Sequence, residues 1–352
     1  MEMRRPVFLL LLTACGMAPP VQRDEPYDIL LKGGSIVDGS GNPRFAGDVA
    51  IKGDRIVATG YWEGIQARDT IDVTGLVVAP GFIDMLGQSE TNALIDSRVL
   101  SKVTQGITTE VTGEGGSAAP VTDRMVADDS AFLKRYRLDV DWRDLVSYFK
   151  RLERTPPALN IATFVGATQV RQAVVGDADR TATAEELARM EALVDTAMRQ
   201  GALGLSTSLI YAPAIYAPTS ELIALARVAR RHGGIYATHM RNEGAGIDAA
   251  LNETFQIARE ARIPVEIWHL KVAGRPNWGR MPHVLARLLS ARAGGDDVTA
   301  DQYPYIAPAT SLDATIPVWA LSGGRDSLII RLRDPNTRAR IREEMVGAAT
   351  AK

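Results

Sequence analysis

Two histidines each close a short apolar run: His239 follows residues 234–238 and His269 follows residues 264–268, in the stretches YATHMRNEG and PVEIWHLKVAG. Between them, residues 247–262 carry apolar side chains at helical spacing: Ile247, Ala250, Leu251, Thr254, Ile257 and Ala258. The pattern is strand–helix–strand, which sets two successive parallel strands side by side with an imidazole at the C-terminal end of each. A lone histidine there is more often a satisfied polar group. Two in register, with Arg241 and Glu243 just after the first and Lys271 just after the second, point to a site. Imidazole nitrogens are natural ligands for zinc. Arg241 has a fixed charge and a fork suited to gripping a carboxylate, or to a salt bridge with Glu243. Lys271 suits the same carboxylate or a supporting role, and Glu243 suits orientation of His239.

These side chains need a scaffold, and the rest of the chain supplies a consistent one. Apolar strands alternate with helical segments from residue 76 onward, the grammar of a parallel α/β fold. Seven strands are expected, at 76–84, 108–113, 160–166, 202–207, 234–239, 264–269 and 298–303. Helices are expected at 93–104, 142–154, 183–200, 220–232 and 281–292, with Thr183 and Glu186 as one capping pair and Ser220 and Glu221 as another start. Gly201 and Gly233 stand where two of them should stop. This predicts a TIM-like (β/α) barrel over residues 79–313. Such a barrel gathers its active site at the C-terminal ends of the strands and closes with eight of them, so the pattern reads as an incomplete barrel. Residues 314–352 read as an insertion or a truncated C-terminal part. Before the barrel, residues 27–78 form short alternating runs broken by Gly-Asp, Gly-Gly and Asn-Pro turns, read as a small antiparallel sheet with a hairpin at Lys52-Gly53-Asp54-Arg55.

Other polar residues fall near the same strand ends. Glu114 lies in GEGG after the second barrel strand and Glu90 in GQSE after the first; either carboxylate completes a His₂-carboxylate set for zinc or another divalent ion, or caps a helix. Ser206, Thr207 and Tyr211 in LSTSLIYAP line the pocket with hydroxyls or simply shape a turn. Asp301 of DQYPY is the last acid near the site and a group that orients a ligand.

The chain has 352 residues, 46% of them hydrophobic, enough for a large core, and a net charge of −2 with no basic stripe, which argues against nucleic acid as a partner. The single cysteine, Cys15, excludes an intramolecular disulfide. It follows two arginines and the apolar run 6–12, too short for a membrane span and suited to a secretory signal. Leu12-Thr13-Ala14-Cys15 also resembles the lipobox of bacterial lipoproteins, so residues 1–26 are expected to be a signal and tether, with a lipid anchor on Cys15 and the folded part facing the periplasm or exterior.

The hairpin sheet leading through GLVVAPGFID into a barrel resembles the amidohydrolase superfamily. Within it, GITTEVTG, GALGLSTSLIYAP, YATHMRNEG, IWHLKVAG and DQYPY resemble the N-acyl-D-amino-acid deacylase (D-aminoacylase) group, over roughly residues 27–315. The resemblance implies a zinc-dependent barrel that hydrolyses a linear amide, and half of a β-sandwich in the N-terminal sheet. It implies that His239 and His269 are ligands of one tightly held ion. Three ligands of the family are replaced here: Leu86 and Gln88 stand where its His-x-His pair lies, and Gly115 where it has a cysteine. The family's catalytic aspartate would fall beyond Lys352. The alternatives are a non-catalytic, lipid-anchored binding protein on the same fold, or an inactive fragment of it.

Overall fold

The computed structural model describes residues 27–350; the leader and Cys15 lie outside the described residues. Two compact units divide between Pro80 and Gly81.

The first unit is one five-stranded sheet of β1 (Tyr27–Ile36), β2 (Phe45–Lys52), β3 (Arg55–Gly60), β4 (Ala67–Asp72) and β5 (Val77–Val78). The expected hairpin is there: Lys52 pairs with Arg55 across Gly53, which takes φ 59°. The expectation of a purely antiparallel sheet is corrected, because β4 and β5 both pair with β1 in parallel. Alternation alone does not tell these pairings apart, since it reports which faces are buried and not which way a neighbour runs.

The second unit is parallel throughout. Its strands are β6 (Phe82–Asp84), β7 (Ile107–Thr112), β8 (Asn160–Thr163), β9 (Val165–Gly166), β10 (Gly204–Ser208), β11 (Ile235–His239), β12 (Val265–Ile267) and β13 (Val298–Ala300). They pair in the order β6-β7-β8 and β9-β10-β11-β12-β13. Only Phe164 separates β8 from β9, so the segment expected as one strand links the two sheets in an arc. Inside the arc, Val111, Phe164, Ala237 and Trp268 pack together, with the Phe164 and Trp268 rings edge to face at 5.5 Å.

The helices lie where apolar periodicity puts them. Ile247–Ala261 buries all six of the residues that mark its stripe. Ala184–Arg199 begins with the expected reciprocal cap, the Glu186 N–H donating to Thr183 Oγ1 at 3.2 Å and the Thr183 N–H to Glu186 Oε2 at 2.8 Å. Gly201 and Gly233 follow helix ends with φ 104° and 78°, a conformation that favours glycine. Three expectations change. The segment 93–104 is two single turns, Asn92–Ile95 and Leu100–Val103. Asp123–Asp128, Ser130–Tyr136 and Ala167–Val174 are additional helices. Helix Thr219–Arg231 starts without a side-chain cap, and Glu221 turns inward instead.

Glu221 meets Arg171 in a buried pair, their side chains 4% and 1% exposed, with Arg171 Nη1 at 2.8 and 2.6 Å from the two carboxylate oxygens. Removing one partner strands a charge in the core, which costs about 3–5 kcal/mol, whereas an exposed pair such as Arg199–Asp195 contributes about 0.3–0.5 kcal/mol. Urea titration of Arg171→Met should therefore show a large loss of stability and Arg199→Met a change within about 0.5 kcal/mol; equal small losses would refute this.

Candidate metal centre

The strand register brings the two histidines together. Ser208 pairs with His239 at the ends of β10 and β11, and Thr238 pairs with Ile267 on β12. His269 was expected to end its strand; it lies two residues beyond β12 with φ 42°, a left-handed conformation that is costly for a side chain bearing a Cβ. Its N–H is held by Asp301 Oδ1, and the next N–H, of Leu270, donates to the Asp301 carbonyl at 2.9 Å. This clamp turns the His269 ring toward His239, edge to face with centroids 4.5 Å apart.

Glu114 joins them. Its Oε1 lies 2.8 Å from His239 Nδ1 and 3.5 Å from His269 Nε2, and one ligand atom from each of the three residues falls within 4.8 Å of the others. Tetrahedral zinc with bonds of ~2.0–2.2 Å sets its ligands roughly 3.3–3.6 Å apart, so this donor set fits a divalent ion with little adjustment. Glu114 reaches the site because its turn is built from glycines. Gly113 and Gly115 take φ 97° and 69°, and a Cβ on Gly115 would stand 2.5 Å from that of Ser208. No side chain fits at 115 in this backbone, so the carboxylate that reaches the histidines comes from the neighbouring position.

The turn and its carboxylate are held on every side. Ser206, fully buried, donates to the Gly113 carbonyl and accepts from the Gly115 N–H at 3.2 Å. This corrects the expectation that it lines the pocket. Gln88 donates to Glu114 Oε2 at 2.6 Å, and Ser208 reaches Oε1 at 3.5 Å. Glu90, the rival ligand, is not in the cluster; its Oε1 accepts the Gly113 N–H at 2.7 Å. Leu86 packs against the interior cluster of the arc.

On the far side of the rings Glu243 bridges several partners. Its carboxylate is 3.0 Å from His269 Nδ1, 3.6 Å from His239 Nε2 and 2.7 Å from Lys271 Nζ. The expected supporting role is thus centred on His269 more than on His239. Lys271 also lies 3.0 Å from His269 Nδ1 and 5.5 Å above the Tyr303 ring. Tyr303 escaped the sequence analysis, although it sits in DQYPY two residues past Asp301. Tyr211 packs its ring edge to face with His239 at 5.5 Å and shares a 2.6 Å hydroxyl contact with Thr310. Arg241 is corrected: its guanidinium is bound by Glu253 at 2.9 Å and donates to the carbonyls of Ile215 and Ala217, so each nitrogen already has a protein partner.

The electrostatics follow from this packing. Burial pushes the Glu114 carboxyl up, but hydrogen bonds from His239 and His269 outweigh it and hold the group down at about 2. Burial lowers His269, yet the bonds to Glu114 and Glu243 raise it to about 9. Glu243 is lowered too, burial being outweighed by His269 and Lys271. The centre is a set of anions built around a position that asks for positive charge.

No family model matches. A D-aminoacylase of Alcaligenes xylosoxydans xylosoxydans is 44% identical over 292 residues, 82% of this chain and 59% of that protein. The N-acyl-D-aspartate deacylase of the same organism is 39% identical over 292 residues, 81% of this chain and 57% of its own length. A D-aminoacylase crystal structure, described as defining a subset of amidohydrolases, superposes with TM-score 0.74 at 42% identity, over 80% of this chain and 60% of that one. The chain is similar in sequence and fold to D-aminoacylases of the amidohydrolase type. It spans somewhat under three fifths to three fifths of the length of these relatives.

Metal titration of single variants tests the ligand assignment. Glu114→Gln should weaken zinc binding by at least the ~10–100-fold seen when a site's support is disturbed. Glu90→Gln keeps an acceptor for the Gly113 N–H and should bind zinc within about threefold of the parent. The reverse ranking would transfer the ligand role to Glu90.

Proposed function

We propose that the protein is a zinc-dependent hydrolase of N-acyl-D-amino acids, converting an N-acyl-D-amino acid and water to a D-amino acid and a carboxylate. The convergence of Glu114, His239 and His269 at the strand ends is the observation that carries this reading. It gains support from the relatives, among them an N-acyl-D-glutamate deacylase from Bordetella bronchiseptica whose structure holds zinc and a phosphonate mimic of the tetrahedral intermediate. Bound there, the ion would polarise the amide carbonyl and acidify water.

The chain's own residues prepare that position. Glu243 holds His269 through Nδ1, which leaves Nε2 facing Glu114. Gln88 and Ser208 keep the Glu114 carboxylate aimed between the imidazoles. Lys271, its side chain 21% exposed beside Tyr303, offers the substrate's carboxylate a cation close to the reacting bond. Tyr211 walls the other side of His239. The same reading takes the arc of β6–β13, with β8 and β9 together as one barrel strand, as part of an eight-stranded barrel, supported by the outer edges of β6 and β13, unpaired among the described residues, and takes the N-terminal sheet as one half of a sandwich.

Hydrolysis of paired N-acetyl-D- and N-acetyl-L-amino acids by zinc-loaded and chelated protein tests the proposal. The D-series should be cleaved, only with metal, and His239→Asn should lower kcat/KM by at least about 100-fold. Lys271→Met should act mainly by raising KM. Metal-independent cleavage, or equal rates for both series, would overturn it.

We also propose that residues 1–26 direct export and that Cys15 carries a lipid, supported by the arginine pair, the apolar run 6–12 and the Leu12–Cys15 sequence. Among the described residues no helix is long and apolar enough to cross a membrane. Labelled fatty acid should enter the parent protein and not Cys15→Ser; equal labelling of both would exclude the anchor.

A further inference from the structure

We propose that a cavity beside the Gly113–Gly116 turn binds a small organic cation, a primary ammonium carried on an aromatic or branched apolar body. The cavity holds about 340 Å³, inside the ~300–1,000 Å³ span of small-molecule sites. It is separate in chemistry from the metal centre: neither histidine lines it, and Glu90 is its link to the turn that carries Glu114.

The lining selects charge. Glu90 and Asp129 are its acidic side chains, and no Lys, Arg or His is among the lining residues. Glu90 is the inner of the two. Its structural partner is the Gly113 N–H, a neutral donor, and no cationic side chain is paired with it among the described residues. Burial pushes this carboxyl up to about 7, against the opposing pull of its own N–H and that of Gly113. A half-buried carboxylate without a cation is disfavoured as an ion, and an incoming ammonium reduces that cost.

The lining also selects shape. Phe132, Leu133, Trp142 and Tyr148 provide apolar and aromatic wall. The polar ends of the two largest rings are already engaged, Trp142 Nε1 donating to the Ala118 carbonyl at 2.8 Å and Tyr148 Oη to the Glu90 carbonyl at 2.9 Å. Gln169 donates to the Pro120 carbonyl at 2.8 Å. Besides the Thr91 and Ser117 hydroxyls, the lining offers mainly ring and aliphatic surface plus negative charge. Aromatic walls with a carboxylate suit an organic ammonium, whose apolar body and charge are both matched. A bare divalent ion would find too few oxygen ligands there. The anionic substrate of the proposed hydrolysis would be repelled.

Calorimetric titration of the full chain with 2-phenylethylammonium tests the proposal, with 3-phenylpropionate as the anion and 2-phenylethanol as the neutral analogue of similar shape. At about pH 8, where Glu90 is mostly ionised, the cation should bind saturably at one site, and about tenfold or more tighter than either analogue. Glu90→Gln should weaken it about tenfold, and Asp129→Asn, at the exposed rim, by less. Val126→Trp, which fills the cavity, should abolish it. His239→Ala should bind the cation as the parent does, so this result stands or falls independently of the hydrolase reading. Should Glu90→Gln fail to fold, Val126→Trp decides. Equal binding of the anion or alcohol, affinity unchanged in Val126→Trp, or no saturation by roughly 10 mM cation would overturn the proposal.

Discussion

Everything at the C-terminal ends of the strands depends on one constraint: the Glu114 carboxylate is largely buried and must remain charged between two imidazoles. A buried carboxylate without matched donors is unstable as an ion and takes up a proton. Here the Nδ1 of His239 and the Nε2 of His269 approach the same oxygen, and Gln88 binds the other. That oxygen is the point where the histidine-bearing strand ends converge, so its position sets where any cation would sit.

The surrounding devices make sense as ways of holding that geometry. Ser206 ties the glycine turn from below through Gly113 and Gly115, and Glu90 ties it from the side through the Gly113 N–H. Asp301 keeps His269 in a backbone conformation it would not choose alone. Glu243, itself matched by Lys271, fixes the outer nitrogen of His269. A metal held by only three protein groups would need this support, because each misplaced donor is a large fraction of the whole.

The substitutions relative to the family pattern also become coherent in this geometry. Gly115 excludes a side chain because Ser208 fills the space, and Glu114 supplies the carboxylate from one residue earlier. Gln88, standing where an imidazole is expected, has become a hydrogen-bond donor to that carboxylate. Leu86 has joined the apolar interior.

The two histidines and the helix between them were legible in the sequence because period and position in a βαβ unit dictate where strand ends fall. The apolar stripe of residues 247–261, the Thr183–Glu186 cap and the Lys52–Arg55 hairpin were legible for the same reason: each depends on neighbours a few residues away. Glu114 was legible only as one of two rival carboxylates, since choosing it over Glu90 depends on how a glycine turn bends in three dimensions. Arg241 read as a clamp for a substrate carboxylate or a partner of Glu243 because its actual partner Glu253 lies on the following helix, and Ser206 stayed between lining a pocket and shaping a turn because its buried partners come from a different strand end. The parallel pairing of β4 and β5 with β1, and the pairing of Glu221 with Arg171, likewise join residues far apart in the chain. The sequence by itself determined the elements and the residue types available for chemistry, because local spacing encodes them. The tertiary structure decided which of those residues face one another, because long-range packing alone determines whether a charged group meets a metal site, a partner charge or a backbone amide.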